Sequence, residues 1–176
     1  MSTKCSLLNL PAELRNRIYF YAVIDEHPID IRGRFGEKRM GVCEPSLLRT
    51  SRQLRSETTP VYYAENTFLS SIWYTNVLLR TLDARRVSMI RKLRALSSEL
   101  GDICYLGDYK EWLQQEVLEW EHSKTWKSLR QDAILCPLKT PQGEMLWVAL
   151  AELGEYYVGV VDGKRGWVKP VVVELE

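Results

Sequence analysis

Histidine is scarce in this chain, with two residues in 176, and cysteine is little commoner, with four. Cys5, Cys43, Cys104 and Cys136 include no C-x-x-C pair, and His27 and His122 stand far apart, so a zinc site would have to gather its ligands from distant places; no metal is expected. Scattered cysteines without a framework spacing read as reduced thiols, mostly buried, in an intracellular protein of the cytoplasm or nucleus. An excess of one charge is missing too. With 24 Lys and Arg against 23 Asp and Glu, the net charge is +1, which leaves no overall field to draw nucleic acid or an acidic membrane surface. No apolar run reaches the ~18 residues of a membrane-spanning helix, and the N-terminus lacks the apolar core of a secretory signal.

The chemical signatures of the common enzyme classes are absent as well. There is no G-x-x-x-x-G-K-[ST] phosphate loop, no G-x-S-x-G nucleophile elbow and no H-E-x-x-H zinc helix. Gly33-Arg34-Phe35-Gly36 has two glycines and opens no helix, so it is not a dinucleotide fingerprint, and no cofactor is expected. His27 reads as a solvated loop histidine and His122 as a residue on a helix surface rather than as bases.

Large aromatics are plentiful: six Trp and nine Tyr in a chain that is 45% apolar. Such residues fill cores, but they also line pockets and interfaces. The most informative stretch is residues 7 to 23. Pro11 suits a first helical position, where its missing N–H would have no partner anyway, and Glu13 falls in the first turn, where the helix dipole favours a negative charge. Leu10, Leu14, Ile18 and Tyr21 or Ala22 recur along one helical face, while Arg15, Asn16 and Arg17 fall off it. By pattern alone this is an amphipathic helix with that apolar face turned to the core.

The residue order says more. Leu10-Pro11-Ala12-Glu13-Leu14-Arg15-Asn16-Arg17-Ile18-Tyr19 resembles the first helix of an F-box, and looks most like the F-box-like proteins abundant in filamentous fungi. Leu47-Leu48-Arg49-Thr50-Ser51-Arg52-Gln53-Leu54-Arg55-Ser56-Glu57 continues the resemblance, and Tyr62-Tyr63-Ala64-Glu65-Asn66-Thr67-Phe68 completes it. The likeness covers roughly residues 7 to 95. It implies a protein-interaction adaptor that docks a Skp-type adaptor of a cullin–RING ubiquitin ligase and holds a protein target on its C-terminal half. The docking residues it implies are Leu10, Pro11, Leu14 and Ile18, with Leu47, Leu48 and Leu54. The two helices are separated by a longer link than in a typical F-box.

Taken in order, the chain reads as one α+β domain spanning residues 1 to 176. Ile29 and Ile31 alternate with Asp30 and Arg32, and with Glu37 to Val42 they read as a hairpin inserted between the F-box-like helices. Ser46 is placed as the cap of a second helix over residues 46 to 57, with Pro60 interrupting or restarting it. Arg49, Arg52 and Arg55 form a stripe that reads as a solvated, salt-bridged face, paired with Glu13 and Glu57, in preference to a phosphate-binding one. A β-prone stretch from Thr67 to Trp73, a third helix over 76 to 90 capped by Thr75 or Asn76, and a strand over 91 to 96 follow. The next expectation is a long Trp-bearing helix over 108 to 131. A C-terminal antiparallel sheet ends the chain: a hairpin across Thr140 to Gly143, then a second turning at Asp162-Gly163 between Tyr156 to Val161 and Trp167 to Val173.

A different function class remains open: a small cofactor-independent enzyme of isomerase or cyclase type, or a ligand-binding protein, acting on an apolar small molecule. Its aromatic-lined pocket would draw on Trp112, Trp120, Trp147, Tyr156 and Trp167, with His27 and His122 as polar groups. Burial of Leu14 and Ile18 discriminates, because adaptor docking needs them outside.

Overall fold

The computed structural model describes residues 7–31, 42, 44–96, 115, 117 and 125–169. Among them a mixed five-stranded sheet and a separate two-stranded one combine with helices, so the protein is α+β. The first helix, α1 (Ala12–Val23), starts at Pro11 and is followed by strand β1 (Ile29–Asp30). After a short 3-10 turn at Ser46–Arg49 comes α2 (Arg52–Glu65), which leads into β2 (Phe68–Ser71). Two short helices, α3 (Ile72–Thr81) and α4 (Ala84–Met89), precede β3 (Leu93–Leu96). The C-terminal part supplies β4 (Ile134–Lys139), β5 (Met145–Ala149), β6 (Tyr157–Val161) and β7 (Lys164–Val168).

Strand order is β1-β2-β3-β4-β5. The first three pairings are parallel and only β4 with β5 is antiparallel. Register explains the core. Ile29, Phe68, Leu93 and Ile134 pair in one row, and the last three are completely buried. The adjacent row, Asp30, Leu69, Arg94, Leu135 and Ala149, points to the opposite face and is exposed or half-buried. Tyr62 and Tyr63 of α2, Leu78 and Leu79 of α3 and Val87 of α4 join the buried row in a hydrophobic cluster that extends to Trp126, Leu129 and Trp167. Tyr62, Tyr63 and Phe68 meet as an aromatic trio with ring centroids 5.1–5.7 Å apart.

Several expectations need correction. The second helix begins later than residue 46 and ends later than 57. Ser51, not Ser46, caps it by accepting from the Leu54 N–H, and it runs straight through Pro60. Burying Thr58, Tyr62 and Tyr63 on one face outweighs the backbone bond that Pro60 cannot donate. The helix expected over 76 to 90 is two helices, capped by Ser71 and by Asp83, each side chain accepting a backbone N–H three residues on. Ile29–Asp30 pairs in parallel with β2, so its sheet partner is not a hairpin arm; of the expected return arm only Val42 lies among the described residues. The C-terminal strands do not make one antiparallel sheet, since the first hairpin extends the parallel sheet and the second stands apart as β6-β7.

Both expected hairpins form. Asp162 and Gly163 take positive φ, 50° and 74°, as a tight primed turn requires, and β7 starts directly after it at Lys164 rather than at Trp167. Gly166 lets β7 approach the first hairpin turn, for a Cβ there would lie 2.8 Å from Pro141 Cα. Of the expected Trp-bearing helix, Gln115 and Val117 are helical, whereas Trp126–Ser128 and Gln131–Ala133 are separate 3-10 turns; Trp112, Trp120 and His122 lie outside the described residues, as does Pro170.

Candidate functional site

Helix α1 exposes more large hydrophobic side chains than any other element among the described residues. Pro11, Leu14, Ile18 and Tyr21 are spaced three or four apart and so share one face of the helix. Leu14 is 47% exposed, Ile18 41% and Tyr21 79%; Phe20, 48% exposed, packs edge-on against the Tyr21 ring at 5.9 Å. The apolar face that pattern alone assigns to the core is therefore turned to solvent.

What α1 buries instead is the stripe Arg15, Tyr19 and Val23, again one helical face. Tyr19 is fully buried and Val23 nearly so. Their partner is α2. Arg15 grips the Glu57 carboxylate with two bonds, Nε to Oε2 at 3.0 Å and an amino group to Oε1 at 3.1 Å, and donates a third to the Leu10 carbonyl at 2.7 Å. The Tyr19 hydroxyl donates to Glu57 Oε2 at 2.7 Å and Gln53 donates to Oε1 at 3.0 Å. Hydrogen bonds from Arg15, then Tyr19 and Gln53, hold the Glu57 carboxyl down at about 2. Burial, with Glu57 beside it, pushes the Tyr19 hydroxyl upward. A second lock sits at the other end of α1. Buried Asn66, where α2 ends, donates to the carbonyls of Val23 at 2.8 Å and Tyr62 at 2.9 Å, and accepts from the Asp25 N–H. The exposed face is thus carried on a helix fixed at two points.

The other docking residues implied by the F-box resemblance divide. Leu10 is half-buried, Pro11 exposed and Leu47 half-buried, but Leu48 and Leu54 are core residues, at 0% and 9% exposure. The Arg55 guanidinium reaches back to the Leu48 carbonyl at 2.8 Å, and Glu57 pairs with Arg15 of α1 rather than with the arginine stripe. An open groove of about 230 Å³ adjoins the C-terminal end of α1, lined by residues that include Ala22, Ile24, Asp25, Pro45 and Tyr62.

Among the described residues, the pocket candidates His27, Trp147, Tyr156 and Trp167 do not share one surface. Trp167 is 3% exposed and belongs to the core cluster. Trp147 is half-buried on the opposite sheet face, with the Arg94 guanidinium 4.9 Å from its ring centroid, and Tyr156 has the Lys169 ammonium 5.7 Å from its own. His27 is exposed just before β1, whereas Trp147 is on β5. Four strand spacings separate these strands, about 19 Å, so one small pocket cannot use both. Cys136 is buried, and burial pushes its thiol up to about 12, far from a nucleophile at neutral pH. Among the described residues no cluster of His, Cys, Asp and Glu has the makings of a metal site, and no helix is long and apolar enough to cross a membrane.

Sequence reading missed Tyr19, Glu57 and Asn66 as the groups that orient α1. The available signal was Arg15 and Tyr19 falling four apart on a helix, with a carboxylate free to meet them. No protein-family model, curated protein or solved structure matches the chain.

Proposed function

We propose that this protein is an F-box-like interaction adaptor that docks a Skp-type adaptor through the outer face of α1, as a substrate receptor of a cullin–RING ubiquitin ligase. The observation that carries the reading is the exposure of Leu14 and Ile18, together with Tyr21, on a helix anchored from behind by Glu57 and Asn66. Rigid, exposed aliphatic and aromatic anchors are what a protein interface uses, because little conformational entropy is lost when they are covered. The motif resemblance supplies the identity of the partner. Leu48 and Leu54 drop out of the docking set because both are buried; Pro11, Leu14, Ile18 and Tyr21 are the contact residues.

The test is a pull-down of the purified full chain with the Skp-type adaptor of its own host. Wild type is expected to bind, with Leu14→Asp and Ile18→Asp abolishing capture while leaving the circular dichroism spectrum unchanged. A folded, monodisperse wild-type protein that captures no adaptor overturns the proposal.

A further inference from the structure

A groove of about 380 Å³ separates α2 from α4, within the ~300–1,000 Å³ range of small-ligand sites. Arg52, Arg55, Ser56 and Thr59 line it from α2, at the spacing that puts all four on one helical face, and Asp83, Arg85 and Arg86 line it from the other side. The charges are not equivalent. Arg86 is committed: it donates to Glu44 at 2.8 Å and pairs with Asp83, while Glu44 also accepts from the buried Tyr63 hydroxyl. Arg55 spends its Nε on the Leu48 carbonyl, and among the described residues its two amino groups have no hydrogen-bond partner. Among the described residues the guanidinium groups of Arg52 and Arg85 make no ion pair, and both side chains are exposed. Arg86 with its two carboxylates carries one net negative charge; Arg52, Arg55 and Arg85 therefore leave the groove about two positive in a chain whose net charge is +1.

Thr59 lines the same groove. Its neighbour Thr58 satisfies its hydroxyl by donating to the Leu54 carbonyl at 2.7 Å, the usual resort of a helical threonine. Thr59 does not. Its Oγ1 is shielded from solvent and has no hydrogen-bond partner. An oxygen that solvent does not reach is not reached by a ligand in the open groove either, so the donors the groove presents are the guanidinium groups.

We propose that this groove binds a phosphate monoester. The charge matches a dianion. Three terminal oxygens match a donor set of planar guanidinium forks better than the two oxygens of a carboxylate do. The site is separate from the α1 face, so it stands or falls independently of the docking proposal.

Isothermal titration calorimetry on the full chain, at low salt and in a phosphate-free buffer, tests this with O-phosphoserine, inorganic phosphate, a phosphoserine peptide and the same peptide unphosphorylated. Both phosphoserine probes are expected to bind and the unphosphorylated peptide to give no heat. A phosphopeptide tighter than the free amino acid assigns the ester to a protein; equal affinity assigns it to a small metabolite. Arg52→Gln combined with Arg85→Gln is expected to weaken binding by roughly tenfold or more, since each removes a charge-assisted contact. Arg49→Gln, an exposed arginine outside the groove lining, is the control and leaves the affinity unchanged. A melting temperature of the double variant equal to that of wild type separates lost binding from lost folding. No heat from any phosphorylated probe at millimolar concentration overturns the proposal, as does equal weakening by Arg49→Gln and the double variant.

Discussion

Leu14, at 47% exposure, and Leu54, at 9%, carry the same side chain in opposite surroundings. The difference sets what truncation does. Leu48→Ala and Leu54→Ala each remove buried methyl groups and leave a cavity, so each should cost about 2–5 kcal/mol in urea denaturation. Leu14→Ala removes atoms that water already reaches and should stay within about 0.5 kcal/mol of wild type. A large loss for Leu14→Ala would place that side chain in the core and remove the basis for docking. Asn66 is a different residue-scale case. It is 1% exposed and satisfies one carbonyl from each of two helices and the Asp25 N–H just beyond α1, so Asn66→Ala strands those groups rather than emptying a cavity. A cost on the order of 2–3 kcal/mol follows from the desolvated partners left behind, measurable as a lower denaturation midpoint with an unchanged slope.

Between elements, the α1–α2 contact depends on the ionisation of Glu57. Its carboxyl lies at about 2 in the folded protein against an ordinary value of 4.5, so the folded state holds the proton more weakly than the unfolded one. The stability this supplies is complete above pH 4.5 and is lost as pH falls from there toward 2. Melting temperature followed across that window should drop more steeply for wild type than for Glu57→Gln, which has no carboxylate to protonate there. Parallel slopes for the two proteins would show that Glu57 does not couple the helices. The same contact explains what the sequence hid. Apolar spacing located α1 correctly to within a residue or two, yet it chose the wrong face, because Arg15 and Tyr19 look polar in a pattern and become buried only once Glu57 of α2 receives them. Short-range turn signals were legible: Asp162-Gly163 and Thr140 to Gly143 both close hairpins. Pro60 was not, because its local penalty is overruled by the tyrosines it carries into the core.

At the scale of the whole molecule, the parallel part of the sheet left little trace in the sequence. β1, β2 and β3 have two, four and four residues, too short to show a period, and each finds its neighbour only after an intervening helical segment has crossed back. That topology has a consequence for how the halves depend on each other. β3 lies between β2 and β4, so the buried Leu93 and Ala95 of the N-terminal half are covered by strands from both halves. A chain ended after Leu100 keeps α1 to α4 and β1 to β3 but loses Trp126, Leu129, Ile134, Leu138, Val148, Leu153 and Trp167 from the same cluster. At about 1.5–3 kcal/mol for each fully buried side chain, the loss rivals or exceeds the ~5–15 kcal/mol by which a domain is stable. The ordering cost of residues before Leu100 is still borne in full. The full chain should therefore unfold in one cooperative transition, and the truncated chain should show no cooperative transition and broad, exchange-accessible amides through β2 and β3. A truncated chain as stable as the whole would mean that the N-terminal helices and the first three strands form a core of their own, to which the C-terminal strands are merely attached.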